Sequence, residues 1–267
     1  MFCKTWVMSA LCAVALSAPT LTYNPGAVER PVEMQILSEY FQMLGDKVQA
    51  GRSMSEAPVC NMNNAVLPVA SPTPLPPPSA GLSLKHVAIG RGTQNYSCAT
   101  GNQTAAPVAL GALATLYNAT CIASTYPDLL SILPNVALQF NLTSPDQASL
   151  SPSNLAISGH HFFSNTTTPD FNLNTTAMDL GFAPCSKNNT VAAPTGAPKG
   201  QGGVGNGAVA WLKLVTRDGA TGGLEEIYRV NTAGGNQPAT CAGMPTTFEV
   251  QYAAEYVFPP FHLKLLQ

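Results

Sequence analysis

The spacing of apolar residues changes along this chain, and each change predicts an element. In "RPVEMQILSEYFQMLGDKVQ", Val32, Ile36, Leu37, Tyr40, Phe41, Leu44 and Val48 recur at helical spacing behind Pro31, which predicts an amphipathic helix. Such a helix either packs on a main domain or bridges to it, or docks a partner. Periodicity then stops. In "VLPVASPTPLPPPSAGLS", Pro72, Pro74, Pro76, Pro77 and Pro78 exclude regular structure and predict an extended, polyproline-like connector. From Leu84 the period becomes two. In "TQNYSC", Gln94, Tyr96 and Cys98 share one face while Thr93, Asn95 and Ser97 share the other. In "FEVQYAAEYVF", Phe248, Val250, Tyr252, Ala254, Tyr256 and Phe258 alternate with Glu249, Gln251 and Glu255, a half-buried strand whose acids face solvent. "GAVAWLKLVT" and "GLEEIYRVNT" read as two further strands across the turn-rich "RDGATGG", and "YPDLLSILP" as a short helix opened by Pro127 and closed by Pro134.

The expected fold is mainly β: an antiparallel β-sandwich or barrel with long loops, an N-terminal amphipathic helix and few short helices. The expected organisation is a signal peptide over 1–18, an N-terminal helical segment over 19–60, a proline-rich linker over 61–82 and a β-rich domain over 83–267. Lys4 followed by the short apolar run "TWVMSALCAVALSA" carries the signal-peptide reading, with small residues at Ala13 and Ala15, or Ser17 and Ala18, offering cleavage sites. That run falls short of the ~20 residues a bilayer requires, so no stable membrane insertion is expected.

Composition supports a secreted, extracellular protein. Only 10% of the 267 residues are charged and the formal net charge is −2. That excludes a basic footprint for nucleic acid and a polybasic membrane patch. Seven Asn-x-Ser/Thr triplets, at Asn95, Asn102, Asn118, Asn141, Asn165, Asn174 and Asn188, predict an N-glycosylated surface. Cys3 and Cys12 lie in the signal. Cys60, Cys98, Cys121, Cys185 and Cys241 remain, an odd set without a Cys-x-x-Cys pair, which predicts two disulfides and one free thiol rather than zinc. Their spacing does not fix the pairing; Cys98, ending a strand-like motif, is expected to be bridged.

Candidate chemistry is sparse. "GRGTQNYSC" invites a phosphate-loop reading, but such a loop follows a strand and opens a helix, whereas Gly90-Arg91-Gly92 leads into an alternating strand. Gly200, Gly202 and Gly205 match G-x-G-x-x-G, yet they precede the strand around Trp211. No cofactor is expected. His160 and His161 in "SGHHFFSN" are the best catalytic candidates, with Asp170 or Asp179 nearby. On a strand the two imidazoles face apart and cannot share one metal, so His86 or His262 would have to contribute, and no metal site is assigned. Glu225 and Glu226 likewise face apart. Glu249 and Glu255 fit a solvated face, and there is no G-x-S-x-G elbow. Trp211 and Tyr228, on neighbouring strands, are candidates for a sugar-stacking platform, set against ordinary core packing.

"GRGTQNYSC", "GHHFF", "AWLKL", "IYRVNTAGGNQPATC" and "VQYAAEYVF" together resemble a family of secreted fungal proteins with bacterial relatives. That family is a domain of unknown function whose members are often labelled malate-dehydrogenase-like. The likeness runs from about Leu82 to Pro259. It implies a secreted β-rich domain, and brings no established activity and no catalytic residues. The dehydrogenase label does not fit this chain, which lacks the alternating strands and helices and the glycine loop of a dinucleotide fold. The expectation is a non-enzymatic module binding wall polysaccharide or an extracellular protein, at a fungal cell wall or a host interface. The alternatives are a hydrolase using His160 or His161 with Asp170, and a structural wall or matrix protein.

Overall fold

The alternating strands close on themselves. The structure, a computed structural model, describes residues 32–56, 58–99, 102–142 and 148–259. The expected signal peptide, Pro31 and His262 lie outside the described residues. Eight antiparallel strands form a barrel: β1 (His86–Ser97), β2 (Val108–Asn118), β4 (Leu155–Asn165), β5 (Thr168–Asn174), β6 (Asp179–Val191), β7 (Trp211–Thr216), β8 (Glu226–Gly234) and β9 (Thr247–Phe258). The order β2-β1-β9-β8-β7-β6-β5-β4 is closed by pairing of β4 with β2, and the two-residue β3 (Ser149–Leu150) adds to β4. Of the two expected architectures, this is the barrel. Closure removes the exposed edges that an open sheet would leave.

Period-two sequence fills the interior. Tyr252, Ala254, Tyr256 and Phe258 of β9 meet Ala88, Leu116, Phe171, Leu173, Ala183, Cys185 and Ile227 in one buried cluster, as the narrow interior of an eight-stranded barrel requires. "GRG" is explained by this geometry. Gly90 and Gly92 sit where a Cβ would collide with the Tyr256 ring and with the backbone of Leu113 and Ala114, so glycine makes room for large neighbours. Arg91 lies outside the barrel. Its guanidinium donates to Ala137 O at 3.1 Å and Phe140 O at 3.0 Å, satisfying carbonyls at the end of a helix.

That helix is α3 (Pro127–Leu138), which covers the outer faces of β1, β8 and β9 through a second cluster including Leu130, Leu133, Val136, Leu138, Ile89, Val230 and Val257. Sequence periodicity ended it at Pro134, but Pro134 is internal. Its missing N–H costs one helical bond, while continuing the helix buries Val136, Ala137 and Leu138. The same cover explains Glu255. Expected on a solvated face, it is 2% exposed because the outer side of β9 lies beneath α3 rather than in water. Two more helices flank α3: a short one over Thr120–Thr125, labelled α2, and the expected amphipathic helix, α1 (Val32–Arg52). Ile36 and Tyr40 of α1 join the outer cluster, and Lys47 bridges to Asp128 at 2.5 Å.

The proline-rich segment runs without regular structure and is fastened to the barrel. Tyr228 Oη donates to Pro76 O at 3.0 Å, Lys213 Nζ donates to Pro77 O at 2.8 Å, and Ser79 Oγ donates to Glu226 Oε1 at 2.6 Å. Among the described residues two disulfides, Cys60–Cys121 and Cys98–Cys241, leave Cys185 free and buried. Cys98 is bridged as expected. Among the described residues no helix is long and apolar enough to cross a membrane.

Candidate functional site

The histidine pair lies on β4 with the two side chains on opposite faces. His161 is buried inside the barrel, stacked on Phe171 with ring centroids 4.3 Å apart. Its Nδ1 lies 2.9 Å from the backbone oxygen of Asp170, so that nitrogen carries the hydrogen and the tautomer is set. Burial pushes its pKa down to about 4. His160 is half-buried on the other face. The Asp170 carboxylate is also buried, but it accepts from Ser164 N at 2.9 Å and does not meet either imidazole. These three side chains therefore do not converge on one reacting position. His86 is likewise enclosed, with Nε2 at 2.9 Å from Ser158 Oγ and Nδ1 at 2.8 Å from Thr120 Oγ1, and burial again lowers its pKa to about 4. Among the described residues no cluster of three His, Cys, Asp or Glu side chains could hold a metal ion. The Cys185 thiol is pushed up to about 12, by burial and then by Asp170, which keeps it protonated.

Trp211 and Tyr228 do not form an open platform. Tyr228 is wholly buried under the proline-rich segment, with Lys213 over its ring at 5.4 Å. Beside it, Lys213 and Glu226 form a buried ion pair at 3.0 Å. Burial would raise the Glu226 pKa, but hydrogen bonds from Ser79 and Lys213 outweigh it and hold the carboxyl below its ordinary range. Trp211 is 4% exposed, yet it lines a cavity.

That cavity has a volume of about 250 Å³. It opens between α3, the loop joining β6 to β7, and the start of the bulged half of β8. Ser131 and Asn135 come from α3, Thr195 from the loop, Trp211 from β7, and Asn231 and Thr232 from β8. Among the described residues that line it there is no charged side chain. The Trp211 Nε1–H is buried without a hydrogen-bond partner among the described residues. A buried, unsatisfied donor beside a cavity is the feature that a polar guest or a bound water would complete. Asn231 adopts φ 44°, a left-handed conformation that asparagine tolerates, at the point where the β8–β9 register shifts. Its Nδ2 donates to Glu255 Oε2 at 2.8 Å, which leaves its amide oxygen as an acceptor. Burial raises the Glu255 pKa to about 7, against the smaller opposing effect of Asn231. Asn135 Oδ1 accepts from Gln139 Nε2 at 2.9 Å, which leaves its Nδ2 as a donor.

The sequence singles out Trp211, paired with Tyr228, and gives no sign of the other residues that line this cavity. Ser131 and Asn135 stand one turn apart on a helix whose apolar face dominates its pattern. Asn231 reads as an ordinary strand asparagine unless the bulge is known.

The sequon asparagines divide by environment. Asn102, Asn141, Asn165, Asn174 and Asn188 are exposed, whereas Asn95 and Asn118 are half-buried. Asn118 is held at both ends of its amide: Oδ1 accepts from Thr120 N at 3.0 Å, and Nδ2 lies 3.8 Å from Met178 Sδ.

A family model described as protein of unknown function (DUF3455) matches residues 78–259. That span begins within the proline-rich segment and ends with β9, so it takes in every barrel strand. No curated protein and no solved structure matches the chain.

Proposed function

Since the chain belongs to the DUF3455 family, whose function is unknown, we propose its role from its own geometry: an extracellular, N-glycosylated, non-enzymatic module that binds a saccharide. The observation that carries the reading is the Trp211 Nε1–H, buried without a hydrogen-bond partner among the described residues, on a side chain that lines a cavity of amides and hydroxyls. Neutral hydroxyl-rich ligands suit such a lining, because each hydroxyl both donates and accepts and so meets amide and hydroxyl groups of either kind. The two disulfides fit an oxidising compartment, and the exposed sequons supply solubility that few ionised side chains provide. Wall polysaccharide is the partner this reading favours.

The test uses the full, glycosylated protein and a panel of neutral oligosaccharides and insoluble wall polysaccharides. Saturable binding with no soluble products is the expected result. Asn135→Ala should weaken it about tenfold, the worth of one lost hydrogen bond, with the unfolding midpoint little changed. Products released from any polysaccharide would overturn the non-enzymatic reading. Site-resolved mass spectrometry should find glycans at Asn102, Asn141, Asn165, Asn174 and Asn188 and none at Asn118.

A further inference from the structure

A second cavity, about 430 Å³, adjoins the first. The two share Pro194, Gly196 and Ala197, so the loop between β6 and β7 is a common wall. This loop is held in place: Ala197 N donates to Pro194 O at 2.9 Å, and Gly234 N donates to Pro198 O at 2.8 Å. Gly196 adopts φ 93°, and a Cβ there would meet nothing within 4 Å, so the glycine serves the bend and leaves the crest of the wall low.

The chemistry on the two sides differs. Lys199 lines the second cavity and is the one charged residue among the described residues lining either. The ion pairs among the described residues are Lys47–Asp128 and Lys213–Glu226, so Lys199, exposed and lining the second cavity, has no ion-pair partner among them. Glu33 of α1 lies against Gly202 and forms no ion pair with Lys199. The rest of the wall is alanine, glycine, proline and Asn236, whose Nδ2 is tied to Ala208 O at 2.9 Å. Small residues add little discrimination, so charge decides what this side accepts.

We infer that the two cavities are adjoining subsites of one groove, and that the Lys199 side takes the anionic substituent of an oligosaccharide whose neighbouring unit fills the Trp211 side. The inference rests on the saccharide-binding reading and adds the class of sugar. Uronate carboxylates and sulfate esters share the required chemistry.

Three tetrasaccharide probes test it against the full glycosylated protein: a galacturonate tetramer, its methyl ester, and a sulfated neutral tetramer. Trp211 fluorescence provides the signal. At low salt the charged tetramers should bind about three- to fivefold tighter than the ester, the range for an exposed ion pair. Lys199→Gln, an exposed change, should erase that preference, bringing the charged tetramers to the affinity of the ester. The preference should also fade at ~0.5 M salt. The stronger of the galacturonate and sulfated probes identifies the anion. Equal affinity for acid and ester, or a preference that persists in K199Q, overturns the inference and leaves the saccharide reading standing. So does binding of neutral panel sugars alone. No binding of any saccharide, charged or neutral, overturns both.

Discussion

Gly90, Arg91 and Gly92 show how three adjacent residues can answer to two different surfaces. The glycines face into the barrel, where Tyr256 and the β2 backbone occupy the space of a side chain, and the arginine faces out to the end of α3. Alternation on a strand was legible in "GRGTQNYSC", and it excluded a phosphate loop on correct grounds. What the glycines make room for was not legible, because Tyr256 lies far along the chain and meets them only after β1 and β9 pair. Gly90→Ala should destabilise the fold by about 1–3 kcal/mol, the usual cost of overpacking a filled interior. Arg91→Met should cost at least ~2 kcal/mol, because it strips charged donors from buried carbonyls while keeping the stem. Urea unfolding measures both. If G90A matched the parent protein, the interior would be looser than its contacts indicate.

Among the elements, the proline-rich segment departs most from its sequence reading. Proline spacing correctly excluded helix and strand there, but it says nothing about docking, because carbonyl acceptors are present in any residue type. The anchors are Tyr228, Lys213 and Glu226, which come from two strands distant in sequence. Pro134 is a similar case: a breaker locally, it is overruled by burial of the turn beyond it. One of the fastenings of the proline-rich strap is Ser79 to Glu226, whose pKa is depressed, so its contribution is present above the ordinary carboxylate range and lost as pH falls through the lowered value. Glu226→Gln leaves Lys213 buried without its counter-ion and should cost about 3 kcal/mol. It should also speed proteolytic cleavage between residues 71 and 80. Cleavage no faster than in the parent chain would mean that the carbonyl contacts at Pro76 and Pro77 hold the strap alone.

For the whole molecule, three buried titratable groups set opposing dependences on pH. Glu255, beneath α3, has its pKa raised from 4.5 to about 7 by burial, so the folded state holds a proton that the unfolded chain has released. Its contribution is fully present below about pH 4.5 and declines as pH rises to about 7. His86 and His161 run the other way. Burial lowers each from 6.5 to about 4, so the unfolded chain takes up protons first and stability falls as pH drops from about 6.5 to 4. Two histidines oppose one acid, so the protein should lose stability on acidification across that range, less steeply than the histidines alone would produce. Glu255→Gln should match the parent near pH 4.5 and exceed it near pH 8 by up to ~3 kcal/mol, the full value of the shift. His161→Phe keeps the stack on Phe171, loses the bond to Asp170 O, and should flatten the acid limb. Chemical denaturation of all three proteins at pH 4.5, 6 and 8 provides the comparison. Parallel curves for E255Q and the parent would mean that Glu255 titrates in the folded protein as it does in the unfolded chain, and that burial beneath α3 does not hold its proton.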